Sequence, residues 1–380
     1  MNFDFSDDEQ QLSDAVRKWV ERGYGFERRR AIARAGGFSA EAWREIAELG
    51  LLGLGTSEAD GGLALGPVAA MLALEALGRA LVLEPVAAVG LVAAAVLARA
   101  PDAVRAAWAP ALAAGDRRVV LAHQERAARY RLEHVDTRAA QAGGAWTVRG
   151  AKSLVPIGDQ ADAFIVPARV AGAADDPAGI ALLLVERAAA GVSTRGYALQ
   201  DGARAAEVAF DGAPATLLVP CGEGFAVLEQ AIDIGIAALA AEGVGVMDRL
   251  FELTVDYLNT RKQFGVPIGT FQALRHRVAD MKMQLELARS MSYFATLKLA
   301  EPPAARRRAV AQAKVQLGHS ARFLGQQAIQ LHGGIGMTDE YAGSHYFKRL
   351  TTMEMQFGDT MHHLGEVAAR MQETAGVFVG

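Results

Sequence analysis

The hydrophobic pattern of this chain changes period twice, and that change restricts the folds open to it. Residues 1 to about 115 read as helices, about 116 to 221 as short strands, and about 222 to 380 as long helices again. In the first zone Ser6 and Glu9 form a capping-box pattern that opens a helix running toward Ala33. Ser39 can cap a second helix ending near Gly50, and further helices fill Leu63 to Ala114 with breaks at Pro85 and Pro101. In the middle zone β-prone runs at Arg118–Ala122, Ala145–Val148, Ala163–Ala168, Ile180–Val185 and Ala206–Phe210 are separated by Gly, Asp and Pro clusters. That spacing predicts a compact antiparallel barrel or sandwich. No long helix alternates with these strands, which argues against a doubly wound nucleotide fold. The last zone predicts helices at Phe225–Thr260, Gln272–Ala300, Ala304–His332 and Tyr341–Met371. Val310, Leu317, Leu324 and Leu331 recur every seven residues, a stripe that seats one helix among others in a bundle. The expectation is an α+β multi-domain chain: an N-terminal helical domain (1–115), a middle antiparallel β-barrel domain (116–221) and a C-terminal four-helix bundle (222–380).

With 380 residues, 51% of them hydrophobic, the chain can bury a large core. A net charge of −4 with the signs mixed gives no footprint for nucleic acid. The single Cys221 cannot form an intrachain disulfide, and MNFDFSDDEQ has no apolar run, so the expected location is cytoplasmic. The most apolar region, Leu63 to Ala100, is interrupted by Glu75, Arg79 and Glu84, so it reads as buried helices rather than a membrane span. Metal-ligand spacing is absent among the eight histidines, and adjacent His362 and His363 are expected on different helix faces. Phosphate-loop and Gly-x-Ser-x-Gly patterns are absent too.

Two patches remain, both in the last zone. Arg261-Lys262-Gln263-Phe264-Gly265 continues through Pro267-Ile268 to Phe271-Gln272. An arginine at a helix end before a Gly/Pro turn can pair bidentately with a pyrophosphate; an ordinary helix C-terminus would look the same. Gln330-Leu331-His332-Gly333-Gly334-Ile335-Gly336 offers bare backbone N–H groups to a phosphate or ribose, or simply a helix–helix turn. Its glycines follow a helix, which argues against a Rossmann loop.

Together these patches resemble the FAD signature of acyl-CoA dehydrogenases, and the helical, β, helical order matches over essentially the whole chain. Ser57–Gly62 resembles the family's Pro-Glu-Glu-Tyr-Gly-Gly turn, and Gly150-Ala151-Lys152 through Asp162 its Gly-x-Lys-x-Trp-Ile-Thr segment. The resemblance implies an FAD site built across a subunit interface. Arg261, Gln263, Phe264, Ile268, Gln272, Gln330, Gly333 and Gly334 would hold the neighbouring subunit's flavin. It further implies α,β-dehydrogenation of an acyl-CoA thioester, oligomers such as a dimer of dimers, and an electron-transfer flavoprotein as electron acceptor.

Departures from the family pattern cluster. The position of the family's usual glutamate base is Phe357, and the alternative base position on the preceding long helix is Gly235. Asp359, Glu354 and Glu242 lie near enough to be displaced bases, although each reads first as a structural or solvated carboxylate. The family's Thr-Glu-Pro-x-x-Gly-Ser-Asp loop reads Gln124 to Arg131 and keeps only Glu125; the family's Trp and Thr become Leu154 and Pro156. Residues serving a neighbour's flavin are kept, and those serving the chain's own site are changed. That division of labour resembles the small subunit of heteromeric acyl-CoA dehydrogenases of the pimeloyl-CoA dehydrogenase type. The alternatives are a homo-oligomeric dehydrogenase with a displaced carboxylate, a flavin monooxygenase or oxidase on the same fold, and a structural subunit without activity. Gly235 and Ala238 leave room for a bulky or dicarboxylic acyl group.

Overall fold

A computed structural model describes residues 5–375. The helical first zone begins with α1 (Asp7–Gly23), whose capping box is formed as expected: Glu9 N–H reaches Ser6 Oγ at 3.3 Å and Ser6 N–H reaches Glu9 Oε2 at 2.8 Å. The single helix expected toward Ala33 is two, because the chain breaks at Tyr24-Gly25 before α2 (Phe26–Arg34). Ser39 caps α3 (Ala40–Glu48), accepting from Ala42 N–H at 3.2 Å. Then come α4 (Gly66–Arg79), a π-turn at Ala88–Ala93 leading into α5 (Ala94–Leu97), and α6 (Asp102–Ala113).

The strands are β1 (Val119–Leu121), β2 (Arg138–Ala142), β3 (Ala145–Pro156), β4 (Ala163–Arg169), β5 (Ile180–Glu186), β6 (Val192–Ala198) and β7 (Arg204–Val219). The pairings β4–β5–β7–β3–β2–β4 close a ring, with β6 added on β7. The sequence predicts an antiparallel barrel, and the barrel is mostly so, but β1 and β2 each run parallel to β4. The cause is topological. β2 turns back into β3 through Gly143-Gly144, both at positive φ, and the chain reverses again into β4, so β4 meets β2 in the same direction. β4 and β5 are buried on both faces and read as apolar runs. β2 and β6 lack such runs, alternate toward solvent, and carry no strong strand signal.

The last zone holds α7 (Gly224–Thr260), a two-residue ladder of β8 (Lys262–Gln263) with β9 (Val266–Pro267), α8 (Gln272–Lys298), α9 (Pro303–His332), α10 (Ala342–Met355) and α11 (Thr360–Ala375). Leu250 of α7, Leu285 of α8, Leu324 of α9 and Leu350 of α10 meet in one core, which makes the expected four-helix bundle. Leu317, Leu324 and Leu331 of the seven-residue stripe of α9 lie inside it, and Val310 is buried as well. The helix expected over Tyr341–Met371 is broken into α10 and α11, because Phe357 (φ 57°) and Gly358 (φ 105°) turn left-handed.

The chain forms two compact units. One comprises 1–31, 67–82 and 236–380, the other 32–66 and 83–235. Within the first, α4 crosses α7 at backbone distance. A Cβ on Gly245 would stand 1.9 Å from Glu75 O, and one on Gly78 would stand 2.2 Å from Glu242 O. Arg79 and Arg289 tie the same crossing through Glu75, Asp248 and Glu252. Among the described residues one helix, α7, is long and apolar enough to span a membrane, and most of its apolar stretch is buried inside the protein.

Candidate cofactor and active site

Both sequence patches lie on the first unit, and the structure brings them together. Arg261 follows the end of α7, its N–H held by Tyr257 O, and its carbonyl accepts from Ile268 N–H at 2.8 Å. That bond closes a loop whose tip is Phe264 (φ 52°) and Gly265 (φ 81°), the two positive-φ positions a tight hairpin demands. A bulky residue in this conformation is strained, and Phe264 is 91% exposed, so burial does not explain its presence. Ile268 packs on the bundle core, whereas Arg261, Gln263 and Gln272 stand in solvent.

The second patch caps α9. Gln330 is exposed on its last turn, and Gly333 (φ 62°, ψ −142°) ends the helix. No atom lies within 4 Å of where a Cβ on Gly333 or Gly334 would stand, so their backbone is open to a ligand. Tyr257, one turn before Arg261, has its ring 4.7 Å from that of His332, the residue before Gly333. Arg277 of α8 reaches Gln327 of α9 at 2.7 Å. His332 itself is fixed. Its Nδ1 lies 2.7 Å from Ala328 O, a carbonyl that only accepts, so Nδ1 donates there and Nε2 accepts from the Tyr341 hydroxyl at 2.8 Å. Burial holds this imidazole below its usual pKa, hence neutral. The exposed residues of these neighbouring segments are a guanidinium, an aromatic tip and bare peptide, groups that could hold the diphosphate and adenosine of a dinucleotide.

The stretch around Phe357 is rigidly framed. Lys314, fully buried, donates to Met353 O and Glu354 O at 3.0 Å each and so caps α10. Burial pushes Lys314 down to about 8, against the pull of Glu354 and Asp359. Glu354 Oε1 accepts from Thr360 N–H (3.0 Å) and Thr360 Oγ1 (2.6 Å), bridging the break to α11. Asp359 Oδ1 accepts from His362 N–H at 2.8 Å at the start of α11. Glu242 forms a fork with Arg349, Nε to Oε1 and NH2 to Oε2 at 2.8 Å each. Each of the three carboxylates thus has a structural partner, while the Phe357 side chain lies against the bundle core.

Glu125 and Lys152, survivors of two otherwise altered segments, turn out to be partners. Lys152 Nζ donates to Glu125 Oε1 at 2.6 Å, and Asp136 and Thr137 N–H groups donate to the same carboxylate. Burial would raise Glu125, but Lys152 and these donors outweigh it and hold the carboxyl below its usual range. Each residue was visible in the sequence; their pairing, 27 positions apart, was not. On the same unit Leu154 takes φ 53° and is 46% exposed, and Pro156 offers no N–H.

Family models for the acyl-CoA dehydrogenase N-terminal and C-terminal domains match residues 6–116 and 222–372. Acyl-CoA dehydrogenase FadE12 of Mycobacterium tuberculosis is 30% identical over 350 residues, 88% of each chain. The chain belongs to the acyl-CoA dehydrogenase family. Membership brings oxidoreductase chemistry on acyl-CoA, with FAD as cofactor. Among solved acyl-CoA dehydrogenase-fold structures, the ChsE4–ChsE5 complex from M. tuberculosis is 26% identical with TM-score 0.89, covering 98% of this chain and 99% of that one. A variant of the Tcur3481–Tcur3483 steroid ACAD is 28% identical with TM-score 0.88, covering 97% and 99%.

Proposed function

We propose that this acyl-CoA dehydrogenase-family chain is the small subunit of a heteromeric enzyme. It supplies the adenosine diphosphate-binding half of the FAD site to a partner that carries the catalytic glutamate. The observation that carries this reading is the contrast within one unit. The surface around Arg261, Gly333 and Gly334 is open to solvent, while the base position holds Phe357 among carboxylates that each have a structural partner. Phenylalanine cannot take a proton. Glu242 and Glu354 hold helices together, and Asp359 accepts from a backbone N–H in the first turn of α11.

In this reading Arg261 binds the diphosphate, Gly333 and Gly334 present N–H groups to it, and Phe264, Ile268 and the amides of Gln263, Gln272 and Gln330 seat the adenosine. FAD bound there supplies the acceptor for hydride from C3 of the acyl group. The proton from C2 goes to the partner's carboxylate, a step worth about 10² to 10⁴ in rate. Two of the similar structures carry paired names, ChsE4–ChsE5 and Tcur3481–Tcur3483, which supports a two-chain assembly; the family resemblance implies a dimer of dimers. The latter is called a steroid enzyme, which with small Gly235 and Ala238 supports a bulky acyl group here. Electrons leave to an electron-transfer flavoprotein.

The test is to purify the chain alone and again co-expressed with a glutamate-bearing family partner, then record visible spectra with acyl-CoA thioesters under anaerobic conditions. The complex should hold yellow flavin that bleaches; the chain alone should not bleach. Stoichiometric flavin on the isolated chain that bleaches with a thioester would sink the proposal.

A further inference from the structure

The two adjacent histidines of α11 converge. In an α-helix each residue turns about 100°, so Glu366, four after His362 and three after His363, lies angularly between them. His362 Nε2 stands 3.5 Å from Glu366 Oε1, and His363 Nδ1 stands 3.8 Å from Glu366 Oε2. One ligand atom from each of the three lies within 4.8 Å of the others. The expectation that the adjacent pair points apart therefore fails, because it left out the glutamate one turn on.

A second observation says what the cluster lacks. His363 is fully buried, and its Nε2 lies 2.8 Å from Phe357 O. A carbonyl only accepts, so Nε2 carries the hydrogen and Nδ1 of the neutral ring presents a lone pair. That Nδ1 is buried with no hydrogen-bond partner, and so is Glu366 Oε2. Two acceptors face each other across a gap too long for a shared proton. Ligand atoms at about 2.0–2.1 Å from a tetrahedral metal are roughly 3.4 Å apart, close to the two spacings seen here. Donation of the remote ring nitrogen to a backbone carbonyl is also how metal-ligating histidines are oriented.

We propose that His362 Nε2, His363 Nδ1 and Glu366 form a three-ligand site for a divalent transition metal of the zinc type. Arg307 NH2 holds Glu366 Oε1 at 2.8 Å and Arg370 NH1 stands 4.0 Å from Oε2. These cations disfavour calcium or magnesium, which need several oxygen ligands, and leave a metal whose bonds to imidazole carry the affinity. Arg307 then orients the carboxylate. His362 and Glu366 are partly exposed, so water completes the coordination. A bound metal would tie the first turn of α11, through His363, to the carbonyl of Phe357.

The experiment is titration of the tag-free full-length chain with Co²⁺, followed by visible absorbance, and with Zn²⁺ by calorimetry. One equivalent should bind with a cobalt ligand-field band. His362→Ala and Glu366→Gln should each weaken binding about tenfold or more, and exposed His319→Ala should leave it unchanged. If Glu366→Gln misfolds for want of its Arg307 partner, His362→Ala decides alone. No saturable uptake, or uptake indifferent to His362→Ala, overturns the site.

Discussion

At the scale of single residues, the question is which carboxylates are chemical and which are structural. Glu242 and Arg349 are both mostly shielded, with side chains 14% and 15% exposed. Glutamine at 242 keeps the shape and one hydrogen-bond acceptor but loses the charge. Glu242→Gln should therefore cost about 1–3 kcal/mol of stability and leave turnover of the assembled enzyme within a few fold. A loss of about 10² or more in turnover with unchanged stability would instead make Glu242 a base. Arg261 presents the opposite case. Its guanidinium stands in solvent, so Arg261→Ala should not alter stability. It should weaken FAD retention by the proposed heteromer roughly ten- to hundredfold, the worth of one charge-assisted contact. Flavin content after gel filtration reads this directly. Phe357→Glu is the complementary test: in the isolated chain it should restore no turnover, because the loop from Gln124 to Arg131 and Pro156 remain altered.

At the scale of elements, two glycines separate packing from binding. Gly245→Ala drives a methyl into the Glu75 carbonyl where α4 crosses α7, backbone against backbone, and should cost about 1–3 kcal/mol or more. Gly334→Ala meets open space, so thermal melting should not change while FAD retention falls. Equal destabilisation by both would mean that the Gly333-Gly334 loop is an ordinary helix turn. The same contrast shows what was legible from sequence. The Ser6 and Ser39 caps and the α9 stripe are local signals and could be read, as could the exposed turns at Phe264-Gly265 and Gly333-Gly334. The break between α10 and α11 depends on Lys314, 39 residues away from Met353, holding the end of α10. β2 and β6 are strands only because β3 and β7 pair with them. The His362–His363–Glu366 cluster was missed because pairs were compared without the third residue on the next turn.

At the scale of the whole molecule, buried and hydrogen-bonded ionisable groups are found in both units. That bonding carries a pH signature. His123, half-buried beside Lys152, is pushed down to about 4 by loss of water and by that ammonium. Burial lowers His332 and His345 too. His345 accepts at Nδ1 from Arg29 at 2.8 Å and donates from Nε2 to Asp339 O at 2.9 Å, so a proton on Nδ1 would face another donor. Unfolded, these histidines titrate near 6.5. Below that pH the unfolded chain binds protons that the folded chain refuses, so their contribution is fully present above about 6.5 and is lost as pH falls below it, for His123 down to about 4. Each adds a slope of up to about 1.4 kcal/mol per pH unit inside that window. Glu125, whose folded pKa is depressed, extends the loss to lower pH. The urea midpoint of the isolated chain should therefore be flat from pH 8 to 7 and fall steeply from pH 6 to 5. A His345→Gln variant, which cannot take the extra proton, should show a shallower fall. A midpoint that holds or rises on acidification would show that these imidazoles are charged in the folded state, and the neutral tautomers assigned to His332 and His345 would then be wrong.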